Sequence, residues 1–165
     1  MVSETYVECL VAKKPSFMTR FLKTLLIMLT VCFVLIGIVF VPALLVAIAT
    51  GVGAYFAYMN ADIEYEYLYL DKEITIDKVM AKSKRKRAAV YDVNRMDILA
   101  PINSHRLDSY KNRGTKTSDY SSGVDGQPDK RYMMVCDGDI KVILEPSAEM
   151  VKAIQMVAPR KVFTD

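Results

Sequence analysis

The polar and apolar positions of this chain follow two different rhythms. From Thr24 to Met59, 36 consecutive residues carry no charged side chain. As one helix they would extend about 54 Å, against a bilayer hydrocarbon core of about 30 Å. That is too long for one span and suits two short ones. Pro42, near the middle, interrupts the helical pattern. The pattern therefore predicts a membrane α-helical hairpin with spans at about 20–39 and 43–60, turning around Gly37 to Ala43. So apolar a turn emerges little into water, and a shallow, re-entrant hairpin stands beside a full crossing. In either case the turn's backbone groups need partners inside the protein, because lipid offers none. Ala47-Ile48-Ala49 fits a signal-cleavage pattern, but the apolar run before it is about 23 residues, against about 7–15 for a signal peptide.

Beyond Asn60 the rhythm changes to two. Tyr65, Tyr67 and Tyr69 alternate with Glu64, Glu66, Leu68 and Leu70, which predicts a strand. Asp71-Lys72-Glu73 reads as a turn, and Ile74 and Ile76 continue into a second strand. Arg85 to Tyr91 and Met96 to Ala100 supply a third and a fourth. Residues 111–130 are Gly, Ser, Thr, Asp and Lys with few apolar groups, the pattern of a long mobile loop. Tyr132 to Cys136 and Ile140 to Leu144 form a second hairpin around Asp137-Gly138-Asp139, a strong turn signal. A helix over about 147–157 follows, with Ser147 as its cap, Met150, Val151, Ile154 and Val157 as its apolar face, and Pro159 after its end. Within the N-terminal segment 1–19, residues 6–11 suit either an edge strand or a short interfacial helix.

Charge adds orientation. Lys13, Lys14, Arg20 and Lys23 precede the first span, which sets this end in the cytoplasm by the positive-inside rule. Two spans return the chain to the same side, so the β-rich domain 61–165 is expected in the cytoplasm too, on a multi-pass protein of the cell (inner) membrane. The net charge of +3 on 165 residues is too small to imply nucleic acid.

Chemistry-bearing residues are few. The sole histidine, His105, and three scattered cysteines give neither a metal site nor a disulfide framework, and no cofactor is expected. Ser104, His105 and Asp108 share the vocabulary of a catalytic triad. They lack a nucleophile elbow, and Ser104 reads better as the cap of a short helical turn. Asp137 and Asp139 read as turn residues. Thr24, Thr30, Cys32 and Thr50 are the polar groups of the apolar stretch, and such hydroxyls commonly bond their own helix.

Two patterns point to binding. Lys82, Lys84, Arg85, Lys86 and Arg87 put five cations in six residues. Next to a membrane helix such a run suits anionic headgroups, at about 1 kcal/mol per cation that reaches them, and on a strand roughly half would. The competing reading is a solvated hairpin whose cations pair with Glu64, Glu66, Asp71 or Glu73 on neighbouring strands. A nucleic-acid patch would need interleaved aromatic residues, which the run lacks. The second pattern is small residues at a spacing of four: Ala43, Ala47 and Gly51, and Ala49, Gly53 and Ala57. Such stripes let helices approach closely, so one suits the first span and the other a second copy or another membrane protein.

The runs EYEYLYLDKEITIDKVMAKSKRKR, YDVNRMDILAPINSHRLDSY and EPSAEMVKAIQMVAPRKVF resemble a family of small two-helix membrane proteins of Gram-positive anaerobic bacteria. Their C-terminal domain is pleckstrin-homology-like (PH-like). The resemblance implies a mainly-β domain of six or seven antiparallel strands closed by one C-terminal helix, and it implies no activity. Alternation supplies six strands, and residues 6–11 are the candidate for a seventh. The expected protein is non-enzymatic: an interaction or scaffolding module at the cytoplasmic membrane surface that touches anionic lipids. The alternative is an accessory subunit of a larger transport or stress-response complex. No small-molecule substrate is identified.

Overall fold

The structure is a computed structural model that describes residues 6–112, 116–126 and 128–165. Two long helices come first. α1 is Phe17–Val39 and α2 is Ala43–Ala61. At 23 and 19 residues they are about 34 and 28 Å long, so each is long and apolar enough to cross a bilayer once. The turn between them satisfies its own backbone. Phe40 N–H donates to Ile36 O at 2.9 Å, Ala43 N–H to Phe40 O at 2.9 Å and Leu44 N–H to Val41 O at 3.0 Å.

The helices meet along a seam with a period of 3.5 residues. On α1, Thr19, Lys23, Leu26, Thr30, Phe33 and Gly37 are the covered positions. On α2 they include Ala43, Ala47, Thr50, Ala54 and Ala57. That spacing keeps one stripe of each helix in register with the other. Alanines and glycines along α2 allow close approach. A Cβ on Gly37 would run into the Leu44 side chain, one on Gly51 would touch Thr30 at 3.5 Å, and one on Gly53 would touch Leu26 at 3.8 Å. Away from the seam the apolar side chains are exposed, Phe21, Met28, Leu35, Leu45, Ile48 and Phe56 among them. Thr24, Thr30 and Thr50 return their hydroxyls to carbonyls of their own helix at 2.8–3.1 Å.

The β-rich part has eight strands among the described residues, in two four-stranded sheets. The first sheet runs β1 (Val7–Ala12), β2 (Ile63–Leu70), β3 (Glu73–Met80), β4 (Lys84–Asp92). The second runs β5 (Met96–Pro101), β7 (Tyr132–Cys136), β8 (Ile140–Leu144), β6 (Lys116–Asp119). Of residues 6–11, the candidate edge strand or interfacial helix, Val7 to Val11 fall in β1, paired antiparallel with β2 from Val7↔Tyr69 to Ala12↔Glu64. Asp71 and Lys72 both take positive φ, the two-residue turn that matches strand twist.

The stretch 111–130 departs from its reading as a long loop. It begins in the single-turn helix α3 (Asp108–Lys111) and contains β6, which lies parallel to β8 from Lys116↔Ile140 to Asp119↔Ile143. The sheet is therefore not wholly antiparallel. β6 is Lys-Thr-Ser-Asp, largely exposed, so no apolar alternation announces it. Backbone pairing holds it, helped by Tyr120, whose N–H donates to Ile143 O at 3.0 Å and whose ring packs edge-on against Tyr65 at 5.4 Å. Residues 113–115 and 127 of that stretch lie outside the described residues.

Tyr67, Tyr69, Ile74 and Ile76 from the first sheet, Met96, Leu99, Met134, Val142 and Leu144 from the second, and Leu107, Met150 and Ile154 from the helical segments are all almost fully buried. Tyr67 keeps its polar end satisfied there. Its hydroxyl donates to Tyr120 O at 2.6 Å and accepts from Glu145 N–H at 3.3 Å. α4 (Ala148–Val157) closes the domain, and the Ser147 hydroxyl accepts from Met150 N–H at 3.2 Å at its start. After α4 the chain covers the outer edge of β5, with Leu99 N–H donating to Lys161 O and Phe163 N–H to Leu99 O, both at 2.8 Å.

The chain forms two compact units. One holds the helices, Lys14–Ile63, together with Val79–Arg85. The other holds β1, Glu64–Lys78 and Lys86–Asp165.

Candidate functional site

A cluster of positive charge lies in the helical unit, at the end of the hairpin where the chain enters and leaves. Lys23, one seam position into α1, holds its ammonium 4.6 Å from the centre of the Tyr58 ring on α2. Arg20 lies one turn earlier. At the exit of α2, the Asp62 carbonyl accepts the Ala81 N–H at 2.7 Å, so the β3–β4 tip is tied to the helix terminus. Ala81 and Lys82 both sit at positive φ, 47° and 54°, in a tip without glycine. Side chains there give up some backbone comfort to carry a lysine at the apex. Ser83 N–H closes the turn on Met80 O at 3.2 Å. Lys82, Lys84 and Arg85 thus belong to the same unit as Arg20 and Lys23.

The run of five cations is divided. Lys86 and Arg87 belong to the β-rich unit. Arg87 turns to Asp77, its Nε 3.9 Å from Oδ1, the cross-strand pairing of the competing reading, though with a carboxylate outside the expected four. β4 is exposed on both faces from Lys84 to Ala88. Lysines on such an open edge also discourage strand-to-strand aggregation. What the sequence pattern missed is that Arg20 and Lys23 join the tip in one unit. Their positions just before the apolar stretch were the available signal.

The small-residue positions divide differently from expectation. Ala43 and Ala47 are buried and Gly51 faces Thr30, so that stripe is spent on α1. Gly53 of the other stripe also faces α1, at Leu26, and Ala57 is half-buried. Ala49 alone is exposed.

The groups with catalytic vocabulary have other duties. The Ser104 hydroxyl accepts from Arg106 N–H at 3.3 Å as a cap. His105 Nδ1 lies 3.5 Å from Asp108 Oδ2 on a fully exposed ring, and hydrogen bonds from Lys111 and then His105 hold Asp108 below the usual carboxylate range. Asp137 pairs with Arg95 at 2.9 Å. A groove of about 680 Å³ at the start of α4 includes one carboxylate, Asp129. Arg131 spans that group at 2.7–3.2 Å and lowers its pKa. Burial pushes the Cys136 thiol up to about 12, which keeps it protonated and unreactive at neutral pH. Among the described residues no group of three or more His, Cys, Asp or Glu side chains is arranged to hold a metal.

A family model described as a bacterial PH-like domain (DUF6106) matches residues 3–164. No curated protein and no solved structure matches the chain.

Proposed function

Because the chain belongs to this family of bacterial PH-like domains, we propose that it is a membrane-anchored, non-enzymatic adaptor. Its helical hairpin inserts in the cell membrane, its β-rich domain faces the cytoplasm, and its basic exit end contacts anionic headgroups. One observation carries this reading: two helices, apolar all round, leave most of their surface outside their mutual seam exposed, and the cations of the same unit gather at the end where the chain enters and leaves. So much apolar surface is untenable in water and natural in lipid. Lys82, Lys84 and Arg85, with Arg20 and Lys23, are then the headgroup ligands, helped by Lys86. Arg87, turned to Asp77, contributes least. Each cation near the surface adds about 1 kcal/mol.

The test uses the full chain in nanodiscs of neutral phosphatidylcholine, with anionic vesicles as the binding probe. Replacing Lys82, Lys84 and Lys86 with Gln should lower vesicle capture at least tenfold, and Arg87→Gln should change it less than threefold. Equal loss from both variants, or no loss from the triple variant, would contradict the reading. The alternative, a subunit docked through small-residue stripes, draws less support, because Ala43, Ala47, Gly51 and Gly53 already face α1.

A further inference from the structure

The outer face of the first sheet combines apolar and acidic side chains in a pattern that neither the core nor a lipid contact uses. In the β1–β2 register Glu8 lies opposite Leu68 and Leu10 opposite Glu66. The two-residue turn at Asp71 and Lys72 then sets Leu70 across from Glu73, Leu68 across from Thr75 and Glu66 across from Asp77. Alternation puts all of these on one face, with Tyr65, Tyr67 and Tyr69 on the other, in the core. Tyr6, Leu10 and Leu70 on this face are 58%, 55% and 42% exposed, whereas Glu66 and Asp77 on the same face are buried. A groove of about 330 Å³ runs over it, with Tyr6, Leu68 and Leu70 as its apolar lining and Glu73, Thr75 and Arg87 beside them.

Asp77 is the second, independent sign. It is 7% exposed, and its Oδ1 has no hydrogen-bond partner among the described residues. Arg87 stands 3.9 Å away, beyond hydrogen-bond reach, on a side chain 70% exposed. A buried carboxylate is thus only loosely answered by a cation that is free to swing out. An incoming guanidinium can supply the two parallel bonds that Arg87 does not.

We propose that this face docks a basic segment of a partner protein, in which arginines or lysines alternate with leucine-type residues. Its apolar side chains pack on Tyr6, Leu68 and Leu70. Its cations meet Glu73, and one displaces Arg87 from Asp77; Glu8, which accepts a hydrogen bond from the Tyr6 hydroxyl at 2.9 Å, is already engaged. Cytoplasmic juxtamembrane segments of other membrane proteins carry the excess of lysine and arginine that such a segment needs. Only that choice of source rests on the orientation proposed above. The chemistry of the face does not.

The test is fluorescence anisotropy of a labelled hexapeptide alternating arginine and leucine, titrated with full-length protein in phosphatidylcholine nanodiscs, against a blank of empty nanodiscs. Controls are a peptide with serine for leucine and a peptide with glutamate for arginine. Binding at least tenfold tighter than either control is expected. Leu70→Ser with Glu73→Gln should weaken it at least tenfold, and Arg87→Gln should tighten it at least threefold by removing the internal competitor. All three positions are exposed or half-exposed, so folding should be preserved. Neutralising Lys82, Lys84 and Lys86 should leave peptide affinity within twofold, which separates this face from the headgroup site. Binding no better than the serine control, or unchanged by the Leu70 and Glu73 substitutions, overturns the proposal.

Discussion

Single side chains in this molecule are decided by where their polar ends go. Tyr67 is fully buried, yet its hydroxyl serves both Tyr120 O and Glu145 N–H, linking β2 to the ends of β6 and β8. Tyr67→Phe keeps the ring and strands both partners, so it should destabilise the domain by about 1–3 kcal/mol, read as a lowered thermal midpoint. A neutral result would mean that water reaches those groups. Asp129 carries a pH signature. Hydrogen bonds from Arg131 lower its folded pKa below the unfolded value of about 3.9, so its contribution is complete above that value and is lost as pH falls through the lower one. Asp129→Asn should therefore lower the melting temperature at pH 7 and matter progressively less as pH falls below about 3.9. An equal effect at every pH would assign the loss to packing instead of charge.

At the scale of elements, turn and cap chemistry was legible in the chain and seam geometry was not. The Asp137-Gly138-Asp139 turn has Gly138 at φ 74°, and Ser147 caps α4, both readable from local residue type. β6 was hidden because Lys116 to Asp119 carry no apolar pattern. The side on which α1 and α2 meet was hidden for the opposite reason. Where every residue is apolar, no face stands out, and the 3.5-residue seam is seen only in which side chains become covered. The seam makes a prediction that the stripe reading does not. Ala47→Leu, on the seam, should overpack it and cost about 1–3 kcal/mol, whereas Ala49→Leu, exposed two residues on, should be nearly neutral. Thermal unfolding in detergent micelles separates them. If Ala49→Leu were the damaging change, the exposed stripe would be holding a partner.

For the molecule as a whole, the account joins a hairpin that needs lipid to a PH-like domain that stays on the side where the hairpin begins and ends. The basic run was legible as a cluster. Its division between the helical unit and a strand facing Asp77 was not, because a one-dimensional run does not say which side of a strand each cation takes. Everything proposed for headgroup contact depends on which side of the membrane residues 61–165 occupy. The most direct measurement is labelling of a cysteine at the exposed turn residue Asp139 (Asp139→Cys, with Cys9 and Cys32 replaced by serine) using a membrane-impermeant maleimide on intact spheroplasts. The account predicts no labelling until the membrane is permeabilised. Labelling from outside the intact cell would contradict it: the domain would then be extracytoplasmic, and the cytoplasmic adaptor reading would fall with it.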